Sequence, residues 1–243
     1  MASMICILHM KGDGPGLVGL WAQSRHIPVR TVELYAGEAL PEPADDDMVL
    51  IMGGSMGAYE EDSFPWLGAE KAYLKRQIAR RIPCFGICLG AQLLSECIGG
   101  SVTKNGIAEI GHFPVTFHKE ALALPLLSGV ASSIVPLHWH RDTFSIPAGT
   151  AALGASEACE RQGFYDGDRR ILGFQFHIEA DEKLGGSWAE EEPAEIAEAG
   201  LLPQGRFIQT AERMRELGAV QTAGNKSFLY TVLDRFFGSA VQG

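Results

Sequence analysis

The segment Pro83-Cys84-Phe85-Gly86-Ile87-Cys88-Leu89-Gly90-Ala91-Gln92 constrains the fold of this chain more than any other stretch. A short apolar run ends in Gly-Ile-Cys-Leu-Gly, which reads as a strand turning sharply into a helix with a thiol at the tip. A residue at such a tip is held in a strained backbone conformation, so its neighbours must be small. Glycine weakens a core strand unless the backbone has a special task there. The helix that starts after Cys88 would aim free N–H groups and a partial positive charge at the sulfur, which favours the reactive thiolate. A buried structural cysteine is the ordinary fate of a free Cys, and Cys6, Cys84, Cys97 and Cys159 are read that way, as core or incidental residues.

Around this elbow, apolar strands alternate with helical segments. Residues 3–10, Val29–Leu34 and Met48–Met52 read as strands, and a helical pattern runs to about Arg25. Trp66 to Arg81 is amphipathic, with Leu67, Tyr73, Leu74 and Ile78 near one face. Such alternation implies an α/β fold, a parallel sheet with helices on both faces. From Ser101 to Phe117 the pattern changes to short, antiparallel strands. Ile134–Leu137, Ala151–Ala155, Gly163–Tyr165 and Ile171–Phe176 are further strand candidates. Beyond Glu179 the chain turns helical, punctuated by Pro193 and Pro203, with terminal helices over Arg206–Leu217 and Ser227–Phe237. No linker divides the chain, so residues 1–243 are expected to form one domain.

Several classes of function fall away. A formal net charge of −10 argues against non-specific nucleic-acid binding, which needs a basic face. The five cysteines show no C-x-x-C and no zinc-type spacing, and reduced thiols fit a cytoplasmic setting. The N-terminus has no basic leader and no apolar run long enough to span a membrane. Gly12-Asp13-Gly14-Pro15-Gly16 lacks the Lys-Ser/Thr ending of a phosphate loop. Asp45-Asp46-Asp47 reads as a solvated turn. No metal and no cofactor is expected.

A nucleophilic thiol needs a base and a group to orient that base. Gly173-Phe174-Gln175-Phe176-His177-Ile178-Glu179 offers both at the end of a late strand. In an extended segment His177 and Glu179 project to the same side. Glu179 would then orient His177, and His177 would serve Cys88 as base and then acid. Acyl transfer also needs an oxyanion hole. Met52-Gly53-Gly54-Ser55-Met56-Gly57 is a glycine-rich turn after a strand, so that Gly54 and Leu89 are the candidate N–H donors. All these segments fall at the carboxyl ends of sheet strands, where sites of open parallel sheets gather.

Gly86-Ile87-Cys88-Leu89-Gly90-Ala91-Gln92 together with Gly173 to Glu179 resembles the class I, Cys–His–Glu type of glutamine amidotransferase. Gly53-Gly54, Gly99-Gly100-Ser101-Val102, Glu109-Ile110-Gly111 and His138-Trp139-His140-Arg141-Asp142 add to the likeness, which runs in family order over roughly 48–180 and is nearest the GMP-synthase-like branch. The resemblance implies a flavodoxin-like open sheet with a small antiparallel sheet. It implies hydrolysis of the glutamine side-chain amide through a Cys88 γ-glutamyl thioester. It also implies that Gly53, Gln92, His138, Trp139 and His140 line the substrate site, with Trp139 a packing residue first. Ile178, Ser55 and His138 depart from the residues common in relatives, proline for the first two and serine for the third. A length of 243 residues leaves no room for a synthetase domain, so a synthetase partner would take up the ammonia. Oligomeric state is left open. Three other readings stay beside this one: a γ-glutamyl peptide hydrolase with the same residues, a degenerate regulatory or metabolite-binding protein, and a Cys-type α/β-hydrolase. In the last, the acid usually precedes the histidine in the chain, whereas here it follows.

Overall fold

The computed structural model describes residues 2–200 and 205–238. The expected punctuation at Pro203 lies outside them. Strands β1 (Met4–Leu8), β2 (Val29–Glu33), β3 (Met48–Ile51), β4 (Cys84–Ile87), β5 (Val102–His112), β6 (Val115–Phe117), β7 (Ser133–Ile134), β8 (Leu137–Phe144), β9 (Ala151–Ala155), β10 (Gly163–Asp166) and β11 (Ile171–Phe174) are joined by seven α-helices. These are α1 (Gly16–Ser24), α2 (Trp66–Ala79), α3 (Leu89–Cys97), α4 (Lys119–Leu122), α5 (Leu184–Glu191), α6 (Pro193–Gly200) and α7 (Ala211–Phe237). A nine-stranded sheet has the order β2-β1-β3-β4-β11-β10-β9-β6-β7, and β5 with β8 forms a separate antiparallel pair. The first five strands in that order run parallel and the rest antiparallel. The expected α/β architecture with a small antiparallel sheet is what the chain adopts.

Period-two alternation explains the layers. Met4, Cys6 and Leu8 enter a core against α1 and α7, while Ile5 and Ile7 enter the core against α2 and α3. Both faces of β1 are thus dry, as parallel sheets require. A smaller cluster built around Ile110, Leu137, Ala189 and Met214 backs the β5–β8 pair.

The structure corrects several expectations: β11 stops at Phe174 rather than Phe176, and the strand expected over Ile134–Leu137 is split between the end of β7 and the start of β8. The short strands expected over 101–117 are one long strand, β5, followed by β6, with a register break between Lys104 and Glu109. The two helices expected at the end are one, α7, capped by Thr210. Gly218 and Gly224 weaken helix preference between the two predicted pieces, but Gly218 is buried against the backbone of Glu182 and Asn225 binds the Val135 carbonyl at 2.9 Å. Tertiary packing therefore carries the helix through. The 45–47 segment is a turn, yet Asp47 is buried rather than solvated and accepts from the Ser3 and Ala44 amides, each at 2.8 Å.

Burial pushes His112 down from its ordinary 6.5 to about 4, opposed by the Val135 carbonyl and helped by His138. A histidine held neutral in the fold contributes stability above its unfolded value that is lost as pH falls toward the folded one. Melting temperature is therefore expected to drop between pH 6.5 and pH 4, and His112→Gln to flatten that part of the profile.

Candidate active site

Four loops meet at the carboxyl ends of adjacent parallel strands. His9 follows β1, Gly53 follows β3, Cys88 follows β4 and His177 lies just beyond β11. Cys88 and His177 are far apart in sequence but come together because β4 and β11 are neighbours, with Ile87 opposite Phe174. The Cys88 amide donates to the Phe174 carbonyl at 2.8 Å and locks the two ends.

The elbow has the strain its sequence predicts. Cys88 has φ of 51° and ψ of −108°, outside the regions that L-residues favour. Its glycines are sterically required. A Cβ at Gly90 would run into the Ile51 carbonyl oxygen and sit 2.9 Å from Ile51 Cβ, and one at Gly86 would overlap the Gly90 backbone. Gly90→Ala is expected to cost about 2–3 kcal/mol by overpacking, read as a lower urea midpoint.

His177 Nδ1 lies 2.7 Å from Glu179 Oε1, and both residues are buried. The other ring nitrogen is left for the sulfur of Cys88, whose side chain borders the same point beside Gly53 as the imidazole does. Burial alone would lower the His177 pKa, but the Glu179 carboxylate and the Cys88 sulfur raise it well above its ordinary value. Glu179 is itself held by α1, whose Leu17 amide donates to the Glu179 carbonyl at 2.8 Å. Gln175 Nε2 approaches the Cys88 sulfur at 3.6 Å, and Trp188 packs edge-on against the His177 ring at 4.9 Å.

Gly53 borders the pair closely: a Cβ there would sit 2.8 Å from His177 Cε1 and 3.6 Å from Cys88 Cβ. Leu89 opens α3, where the first amides have no intrahelical acceptor. The Gly90 amide is already bound to the Met52 carbonyl at 3.1 Å. A Cβ at Gly54 would lie 2.9 Å from Leu89 Cδ2, so the two candidate donors belong to adjoining residues.

The candidate substrate residues divide. The Trp139 carbonyl stands 3.8 Å from the Cys88 sulfur, and its indole donates to Glu195 at 3.0 Å and packs on Trp188. Gln92 is buried and donates to Gln175 at 3.3 Å, so it reaches the site through Gln175. His138 and His140 are also buried and turn toward Glu109, at 3.3 Å and 3.1 Å from its Oε2. Their far nitrogens donate to the carbonyls of Phe113 and Asp142. That same Glu109 oxygen accepts from Gln162 and Ser156. Burial would raise the Glu109 carboxyl, but the two imidazoles hold it well below the usual carboxylate range. Among the described residues, Glu109, His138 and His140 are the one group with ligand atoms close enough, within 4.8 Å, to hold a metal ion. His140, Gln162 and Ser156 hydrogen-bond one oxygen of the Glu109 carboxylate and His138 stands beside it, so the group ties β5 to β8, while Glu109 Oε1 and His138 Nδ1 are buried without a hydrogen-bond partner.

The remaining cysteines are inert. Burial pushes the thiols of Cys6, Cys84 and Cys97 up to about 12 and raises Cys159 as well. The sequence does not single out His9, Glu70 and Trp188, and Gln175 and Glu109 appear there only within motifs, with no role of their own. His9 carried a usable signal, since it ends a strand as Gly53 and Cys88 do. The others are placed only by long-range packing.

Fold and site define a doubly wound α/β protein with a thiol elbow at the carboxyl edge of its sheet. The family model of class-I glutamine amidotransferases matches residues 22–190, and the chain belongs to that family, whose chemistry is hydrolysis or transfer of the glutamine amide. It is 32% identical over 214 residues to the glutamine amidotransferase-like protein YfeJ of Salmonella typhimurium, covering 86% of this chain and 87% of YfeJ. It is 29% identical over 156 residues to a glutamine-hydrolyzing GMP synthase subunit of Sulfolobus acidocaldarius, covering 64% of this chain and 79% of that one. The crystal structure of a glutamine amidotransferase from Methylobacillus flagellatus superposes with a TM-score of 0.86 at 30% identity, over 97% of this chain and 93% of that chain. Among the described residues no helix is long and apolar enough to cross a membrane.

Proposed function

We propose that residues 1–243 act as one glutaminase domain in which Cys88 attacks the side-chain amide of glutamine. The Cys88 sulfur adds to the amide carbon, and the carbonyl oxygen becomes an oxyanion held by the N–H groups of Gly54 and Leu89. The C–N bond breaks as His177 passes its proton to the departing nitrogen, which leaves as ammonia. A γ-glutamyl thioester stays on Cys88. His177, now neutral, takes a proton from water, and the resulting hydroxide cleaves the thioester to glutamate and thiolate. Glu179 keeps the imidazole in its working tautomer throughout. Gly53, Trp139 and, through Gln175, Gln92 shape the wall of the substrate site, and His138 and His140 stiffen the strand that carries Trp139. No nucleic acid or membrane takes part, and the setting is cytoplasmic, which five free cysteines support.

The observation that carries this reading is a strained thiol at the elbow beside a buried imidazole already paired with its carboxylate at 2.7 Å. A degenerate binding protein has no use for that strain. The ammonia would pass to an acceptor on a synthetase partner, a role supported by the likeness to a protein named as part of a GMP synthase. Glutamine is preferred to γ-glutamyl peptides because Cys88 is only 6% exposed and Trp188 closes on His177, which suits a leaving group as small as ammonia. Glutamate release from glutamine and from γ-glutamyl dipeptides, measured on the purified chain, tests this. Far faster turnover of the dipeptides would make the protein a γ-glutamyl peptide hydrolase instead.

A further inference from the structure

A second histidine–carboxylate pair lies behind the glycine loop. His9 and Glu70 are both buried, with Nε2 3.0 Å and 3.1 Å from the two carboxylate oxygens. Nδ1 of the same ring lies 2.8 Å from the Gly53 carbonyl oxygen. The ring is stacked on Trp66, with centroids 5.6 Å apart and planes 13° from parallel. Nδ1 donates to the Gly53 carbonyl and Nε2 shares a hydrogen bond with the Glu70 carboxyl group, which favours the charged ring against the opposing effect of burial, so His9 is fixed on three sides. A fully buried ion pair seldom stabilises a fold better than apolar residues of the same size. This one does what apolar residues cannot, which is to hold a backbone carbonyl.

The carbonyl it holds sets the orientation of the next amide. The described residues contain no cis peptide, and in a trans peptide the C=O and the following N–H point in opposite directions. With the Gly53 carbonyl drawn back onto His9, the Gly54 N–H is turned away from His9. The face of Gly53 turned toward His177 and Cys88 is the one a Cβ would fill. The Met52 carbonyl is tied to the elbow helix through Gly90, so the peptides on both sides of Gly53 are pinned.

We propose that His9, braced by Glu70 and Trp66, is a positioning residue that keeps the Gly54 N–H aimed at the acyl oxygen, so that the oxyanion hole stands assembled in the isolated chain without a partner. This rests on the reading of Cys88 as the acyl-forming nucleophile. The enzyme is then competent on its own, and a synthetase partner receives ammonia rather than switching the site on. Glu70 acts one step further back, by fixing the ring and its charge.

The test compares wild type, His9→Leu and His9→Asn in three measurements: glutamine hydrolysis by the chain alone, alkylation of Cys88 by iodoacetamide, and thermal melting. Alkylation needs the thiolate but no oxyanion hole. Wild type is expected to turn over glutamine unaided. His9→Leu should lose roughly 100-fold in kcat, the scale of one lost oxyanion donor, with KM and the alkylation rate little changed. The Asn side-chain amide can reach the Gly53 carbonyl where Nδ1 stands, so His9→Asn should return to within about tenfold of wild type. Unchanged kcat in His9→Leu, a parallel loss of alkylation, or no rescue by Asn would each overturn the proposal. Should wild type alkylate normally yet hydrolyse no γ-glutamyl amide, the claim that the site is competent alone is overturned, and failure of a glutamine-mimicking electrophile to label Cys88 as well would show that the functional reading itself has failed. Crystal structures of wild type and His9→Leu then decide the positioning role: a Gly53 carbonyl that turns only in the variant supports it, and one that stays in place overturns it.

Discussion

Cys88→Ala is expected to abolish glutamate release, by about 10⁴-fold or more, because no other group in the site can form the acyl intermediate. The variant should fold, since a smaller side chain relieves crowding at the tip and alanine tolerates the same backbone no worse than cysteine. Cys88 carries the positive φ of 51°, and the surrounding sheet imposes it. A glutamine-mimicking electrophile should add one equivalent to wild type and none to the variant, as read by intact mass. The four other thiols stay unlabelled, because burial holds each of them protonated. Hydrolysis that survives Cys88→Ala would show that the nucleophile is elsewhere.

Glu179→Gln should produce the next largest loss, about 10²–10⁴-fold in kcat, and it should also change the shape of the pH profile. Glu179 is the leading group that raises His177 against the downward push of burial. The ammonia-releasing step uses the protonated imidazole, so wild-type kcat falls as pH rises through the raised His177 value. Removing the carboxylate lowers that value, and the alkaline limb must move to lower pH. The same linkage appears in stability. A histidine raised in the fold contributes stability that is full below its unfolded value and is lost as pH climbs through the folded one. Glu179→Gln should therefore melt lower than wild type near pH 6, with the gap narrowing toward alkaline pH. A variant whose alkaline limb stays where it is in wild type would mean that Glu179 does not govern the His177 proton.

Much of this site could be read directly in the chain. The elbow is a local device: Gly86 and Gly90 flank Cys88 within a few residues, and steric clash at those positions forces the same answer in any parallel sheet. The His177–Glu179 pairing is also local, the two residues lying two apart, although the chain turns at Ile178 and Glu179 instead of running extended as the sequence predicts. Strand–helix alternation, written in short periodicities, determined the α/β class and the carboxyl-edge location of the loops.

What lay beyond the sequence is whatever depends on which surfaces meet. Sheet order made β4 and β11 neighbours and so brought Cys88 to His177. Nothing within either segment specifies the other as its partner. Packing against α5 and Val135 carried α7 through two glycines that locally favour a break. His138, His140 and Gln92 looked like substrate contacts from their positions in the motif, yet β5 drew the two histidines onto Glu109 and Gln175 drew the glutamine inward. His9 reads as an ordinary strand-end histidine until Glu70, from a helix 61 residues away, closes on its far side. Local sterics and periodicity are encoded over a handful of residues, and the sequence alone was enough to nominate the thiol, its proposed base and the proposed orienting acid. The burial of long-range polar pairs is settled only when whole layers pack, and that step set His138 and His140 on Glu109 and His9 between Glu70 and the Gly53 carbonyl.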